Sequence, residues 1–189
     1  MSDTSFEDEL IGGTEKREIT IVDHDASWAG KFEAHSRLIA NALGGTALRT
    51  EHIGSTSVPG LAAKPIIDIL VVVADSANES SYLPRLESVG YGLRVREPNW
   101  HRHRMFRTED QSVHVHVYSR GCPEIDRCLI FRDRLRRNVC DRSRYEQTKR
   151  RLAAEDWPDM NAYAAAKTEV VEDIIAAASA AGENPTEAC

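Results

Sequence analysis

The segment Ile66-Ile67-Asp68-Ile69-Leu70-Val71-Val72-Val73 restricts the fold more than any other. It is aliphatic throughout except at Asp68. Alternation is missing, so neither side of such a strand is meant for water, and its sheet needs a layer of structure against each face. An ionised carboxylate in that setting is costly to bury unless it is paired, hydrogen-bonded or bound to metal. Asp68 is therefore the first candidate functional residue.

What precedes the strand adds chemistry. Thr46 to Ile53 alternates and reads as a strand running into the turn Gly54-Ser55-Thr56-Ser57. A turn of this composition offers backbone N–H groups and hydroxyls to a phosphate. Lys64, at the lip of the next strand, supplies a point charge for the same ligand. Asp68 is placed to hold a divalent cation beside it. The plainer alternative is a structural turn, a surface lysine and an aspartate held by backbone amides.

Val113-His114-Val115-His116-Val117-Tyr118 alternates strictly and marks a half-buried strand. His114 and His116 fall on one side of it. Such a pair can ligate a transition metal with Asp68 as third ligand, bind phosphate, or act as general acid and base near neutral pH. It also fits an ordinary strand with valines inward and histidines toward solvent.

The remaining elements follow from periodicity. Ile19 to Val22 reads as a short strand, and Trp28 to Leu43 as an amphipathic helix stopped by Gly44-Gly45. Ser81 to Val89 reads as a short helix, and Tyr91 to Arg96 and Arg104 to Thr108 as strands. Beyond Pro123 three helices are expected, the last carrying Met160, Tyr163, Lys167, Val171 and Ile175. The fold class is α+β: a mixed sheet with flanking helices and a helical C-terminal segment. Residues 1–17 and 181–189 read as flexible tails around a single domain over 18–180.

Charge narrows the partners. The net charge of −6 argues against broad nucleic-acid binding. The arginines and lysines concentrate in the middle of the chain, which suits a small polyanion. Arg104, after the loop Pro98-Asn99-Trp100, is a candidate phosphate ligand. Arg132 and Lys167 lie on otherwise apolar helical faces, where a charge needs a partner, either a bound phosphate or a carboxylate such as Asp133. No apolar stretch is long enough to span a membrane. The acidic N-terminus lacks the apolar core of a signal peptide. The four cysteines show no metal-ligand spacing and read as free thiols. A cytoplasmic protein is expected.

The run Glu51 to Ile69 closely resembles the signature of the GrpB family, also called UPF0157. So do Val22 to Trp28, His114-Val115-His116, Phe131 to Arg136, and the pairs Tyr145 with Lys149 and Tyr163 with Lys167. The likeness extends roughly from residue 19 to residue 177. It implies a branch of the nucleotidyltransferase superfamily, sometimes fused to dephospho-CoA kinase. It also implies proximity of the histidine pair to Asp68. The implied cofactors are an NTP, ATP first, and a divalent cation, Mg2+ first with Mn2+ or Zn2+ as alternatives. The implied partner is a small-molecule acceptor, and the reaction is nucleotidyl transfer or adenylation for ligation. The expected site is Asp68, His114 and His116 for catalysis and metal, with Gly54, Ser55, Thr56, Ser57, Lys64, Arg104, Arg132 and Lys167 for the phosphates. That superfamily uses two acids on one strand and a third on its neighbour. Here Ile66 and Leu70 flank Asp68, and histidines stand where the third acid is expected. A non-catalytic nucleotide- or CoA-like phosphate-binding module is the alternative, and a metal-dependent phosphoesterase a third reading.

Overall fold

In the computed structural model, which describes residues 8–180, the aliphatic run becomes strand β3 (Ile67–Val73), inside a six-stranded sheet. The other strands are β1 (Glu9–Leu10), β2 (Arg49–Ile53), β4 (Gly92–Glu97), β5 (His103–Arg107) and β6 (Val113–Ser119). Their order is β1-β4-β5-β6-β3-β2. Only β3 and β6 are parallel, and the remaining neighbours are antiparallel.

Each face of β3 is covered, as its composition demands. Ile69, Val71 and Val73, with Val113, Val115 and Val117 of β6, pack under α1 (Ser27–Leu43) and α2 (Leu83–Glu87) through Trp28, Ile39, Leu43 and Leu86. On the other face Leu70, Val72 and Tyr118 meet Ile125 of α3 (Pro123–Arg137). Behind α3 lie α4 (Val139–Ala153), α5 (Met160–Ala165) and α6 (Thr168–Ala180). Leu135, Tyr145 and Ile174 of this group close over Val58 and Leu61 of the loop that leads into β3. The expected α+β architecture, a mixed sheet with flanking helices and a helical C-terminal segment, is what forms.

Three local expectations change. The run 19–22 forms no strand beyond a single bridge between Val22 and Ala63. The last helix is broken into α5 and α6 around Lys167, which periodicity alone does not reveal because the apolar spacing continues across the break. Residues 8–17 were expected in a loose tail, yet Glu9–Leu10 pairs with β4. Gly12 and Gly13, both at positive φ, then turn the chain so that Glu15 forms a two-pronged ion pair with Arg107. The rest of the two expected tails, 1–7 and 181–189, lies outside the described residues. Among the cysteines, Cys122 and Cys128 are free, Cys140 is not, and Cys189 lies outside the described residues. No helix among the described residues is long and apolar enough to cross a membrane.

Candidate phosphate- and metal-binding site

The pairing register assembles the site. Asp68 is opposite Ile53 of β2 on one side and His114 of β6 on the other. Its side chain therefore emerges beside the Gly54 turn, on the face shared by His114 and His116. Leu70 and Val72, on the same face of β3, are sealed by α3, so only the start of the strand stays accessible. Asp68 keeps 27% of its side chain exposed, and His114 and His116 keep 21% and 24%. These three residues thus line an opening in the sheet face.

Oδ1 of Asp68 lies 3.6 Å from Nδ1 of His114 and 3.6 Å from Nε2 of His116. Burial pushes the carboxyl up, but the two imidazoles pull it down further, so Asp68 stays ionised. His116 is itself held from behind. Its Nδ1 is 3.1 Å from Nε2 of His103, whose Nδ1 is 2.6 Å from Oε2 of Glu97. The rings of His103 and His116 are nearly parallel, with 14° between their planes and 5.3 Å between their centres.

Gly54 is required by two independent features. Its backbone, at φ 69° and ψ −177°, belongs to a region that is essentially glycine-only. A Cβ there would stand 2.3 Å from Oδ2 of Asp68. The carboxylate therefore packs directly on the turn backbone. The hydroxyls that follow are turned inward. Thr56 donates to Ile66 O at 2.9 Å and accepts from Nε2 of His52 at 3.1 Å. Burial lowers the His52 pKa to about 4, so this ring is a neutral support stacked on Phe32. Ser57 donates to Gly54 O at 2.6 Å, and its carbonyl accepts from both Nε and Nη2 of Arg136. Thr56 and Ser57 thus brace the turn, whereas the Ser55 hydroxyl faces Tyr145.

A cationic wall stands across from the turn. Lys64 Nζ and Lys167 Nζ lie 5.2 Å and 4.3 Å from the centre of the Tyr163 ring. Neither ammonium forms an ion pair or a hydrogen bond among the described residues; Asp68 is the nearby negative charge that raises both pKa values. Burial, then the charge of Lys64, lowers Lys167 to about 8. The Tyr163 hydroxyl between them is buried and has no hydrogen-bond partner among the described residues. Lys149 lies 4.8 Å from the centre of the Tyr145 ring and donates to Ala62 O, while Glu146 accepts from Ala62 N. Those two residues of α4 clamp one residue of the loop entering β3 from both its backbone groups.

The structure thus gathers Asp68, His114, His116, Gly54, Ser55, Lys64 and Lys167. It withdraws Arg104 and Arg132 from phosphate binding. Arg104 is on the opposite face of β5, paired with Glu79 at 2.6 Å and donating to the carbonyls of Arg102 and His103. Arg132 is bound by Glu51 and Asp133, each at 2.8 Å, so the carboxylate alternative is the one realised. Sequence reasoning overlooked His103 and Glu97. The signal was strand alternation: His103, Met105 and Arg107 share the face of His116 and His114, and Arg104 does not. The i, i+4 pairs Tyr145/Lys149 and Tyr163/Lys167 were visible, but their convergence on one loop was not.

Comparison with known proteins supports one assignment. The model of the GrpB protein family matches residues 18–177. A UPF0157 protein of Halalkalibacterium halodurans is 51% identical over 162 residues, covering 86% of this chain and 83% of that protein. Another from Streptomyces coelicolor is also 51% identical, over 92% of this chain and 91% of its own length. The crystal structure of conserved protein GrpB from Enterococcus faecalis superposes with a TM-score of 0.75 at 32% identity, covering 84% of this chain and 96% of that one. The chain belongs to the GrpB family.

Proposed function

We propose that this protein binds a nucleoside triphosphate, ATP first, with its phosphates between the Gly54 turn and the Lys64–Lys167 wall, and transfers the nucleotidyl group to a small acceptor. The observation that carries the proposal is the pair of ammonium groups on Tyr163 without a carboxylate of their own. Unpaired cations held this close together are unfavourable in the empty protein and become favourable when a polyanion arrives. Asp68, ionised and packed on the turn, stands at the edge of that cationic space.

In the reaction an acceptor oxygen forms a bond to the α-phosphorus and the bond to the bridging oxygen breaks. Pyrophosphate leaves with its charge directed at Lys64 and Lys167. Asp68, His114 and His116 would hold a divalent cation, which would supply further neutralisation of phosphate oxygens when bound. The donor set does not fit a pair of Mg2+ ions, since one carboxylate and two imidazoles replace three carboxylates.

The replacement also favours a second reading, a module that binds a nucleotide or CoA-like phosphate without turning it over. The two readings separate on incubation of the purified chain with each NTP and Mg2+, Mn2+ or Zn2+. Transfer predicts pyrophosphate release that is lost in Asp68→Asn; binding without release supports the module. Absence of NTP binding by calorimetry under all these conditions refutes both.

A further inference from the structure

We infer that Asp68, His114 and His116 form a site for one imidazole-preferring cation of the Zn2+ or Co2+ class rather than Mg2+, and that Glu97 and His103 are its positioning residues. The inference rests on the Asp68 site described above and specifies which ion that site selects.

Hydrogen-bond bookkeeping leads there. A carboxylate only accepts, so Nδ1 of His103 must carry the proton that it directs at Glu97. With its one ring proton at Nδ1, neutral His103 presents a lone pair at Nε2 toward His116. The 3.1 Å contact requires Nδ1 of His116 to donate into this lone pair. With that proton fixed, neutral His116 carries its own lone pair at Nε2, and Nε2 is the atom aimed at Asp68. At 3.6 Å the nitrogen and the carboxylate oxygen are too far apart for a hydrogen bond, and the gap leaves a place for a cation between them.

The geometry fits such a cation. The three ligand atoms, one from each residue, lie within 4.8 Å of one another, with 3.6 Å between Oδ1 and each nitrogen. A tetrahedral ion with bonds of about 2.0–2.1 Å separates its ligands by roughly 3.3 Å, so each Asp–His edge closes by a few tenths of an ångström and the His–His edge, up to 4.8 Å, by up to about 1.5 Å, within reach of imidazole rotation. Three protein ligands with a remaining open position is the pattern of catalytic rather than structural zinc. Two nitrogens and one oxygen favour a borderline transition ion, whereas Mg2+ prefers oxygen donors and keeps its waters. The Glu97–His103 chain does for His116 what a carboxylate does behind many metal-bound histidines: it fixes the tautomer and orients the ring.

The full chain, stripped of metal, is titrated with Co2+ followed by visible absorption, and with Zn2+ and Mg2+ by calorimetry. One equivalent of Co2+ with a d–d band, displaced by Zn2+ and not by millimolar Mg2+, is expected. His114→Ala and His116→Ala remove the band. His103→Leu keeps the buried volume but not the acceptor, and is expected to weaken Zn2+ binding about 10- to 100-fold. His103→Gln, which restores an acceptor, recovers part of the loss while both variants keep the wild-type unfolding midpoint of the metal-free protein. Equal affinity for Mg2+ and Zn2+, or Co2+ binding that survives His114→Ala, overturns the site. Unchanged Zn2+ affinity in His103→Leu overturns the positioning role. Tight Zn2+ binding in a protein that binds no NTP leaves this inference standing and refutes the nucleotide reading. NTP binding with Mg2+ in a protein that binds neither Co2+ nor Zn2+ does the reverse.

Discussion

Two basic regions of this protein are built in opposite ways. Along β4 and β5, Arg96 and Arg104 share Glu79, and Arg94 and Arg107 share Glu15, so these guanidinium groups have carboxylates within the fold. Lys64 and Lys167, by contrast, crowd one tyrosine ring with no ion pair among the described residues. The arginine region uses charge to join the N-terminal segment and the hairpin to the sheet. The lysine region leaves its charge unanswered, which costs stability and is the usual mark of a ligand site. Basic composition is the same in both; what differs is whether the fold supplies the anion.

The sharpest way to break this contrast is to remove one cation from each region and compare stabilities. Arg104→Met strips Glu79 of a buried partner and leaves the carbonyls of Arg102 and His103 unserved. It is expected to lower unfolding free energy by about 1.5–3 kcal/mol, the range for hydrogen bonds to charged groups. Lys167→Met removes an ammonium whose burial outweighs the pull of nearby Asp68, so stability is expected to hold or rise. Urea unfolding reads both. Equal destabilisation by the two substitutions abolishes the distinction.

Ligand affinity should divide the same residues the other way. Lys64→Met and Lys167→Met are each expected to weaken NTP binding by roughly 10- to 100-fold, the equivalent of one lost charge-assisted contact. Arg132→Met, which loses its bonds to Glu51 and Asp133, is expected to leave NTP affinity of the folded protein within about twofold, because both of these carboxylates already engage Arg132 within the fold. Calorimetric titration with an NTP measures all three, and an Arg132 effect as large as that of Lys167 would return Arg132 to the phosphate site.

Much of this division was readable from the chain. Continuous aliphatic residues announced β3, strict alternation announced β6, and the single acid in the first and paired histidines in the second fixed the centre of the site. What sequence did not carry was the identity of partners across the fold. Arg104 and His103 are adjacent residues, and the side of the sheet each faces depends on where β5 begins. Placing the strand from Arg104 hid the histidine that supports His116. Arg132 was recognised as a buried charge in need of an anion, but Glu51 is far away in sequence and its approach depends on how α3 crosses β2. The docking of residues 8–17 escaped for a related reason: a polar segment gains order from long-range pairs such as Glu15 with Arg107, which leave no local pattern.

The smallest expected effect concerns pH, and it tests whether the lysines are truly uncompensated. Burial, aided by the charge of Lys167, lowers Lys149 to about 7, and burial, aided by the charge of Lys64, lowers Lys167 to about 8, against 10.5 for an ordinary lysine. Between these values the unfolded chain binds more protons than the folded one, so unfolding free energy must rise with pH. The effect is clearest from about pH 7 to 7.5, below the range where unfolded cysteine and tyrosine titrate. NTP binding should move in the opposite direction, because a phosphate favours the charged ammonium and a deprotonated Lys167 must first regain its proton. Affinity is therefore expected to decline above pH 8, with proton uptake visible as a buffer-dependent binding enthalpy. In Lys167→Met both slopes should flatten. If stability instead falls over this interval while NTP affinity is constant, the two ammonium groups are already balanced within the fold, and the contrast with the arginine region disappears.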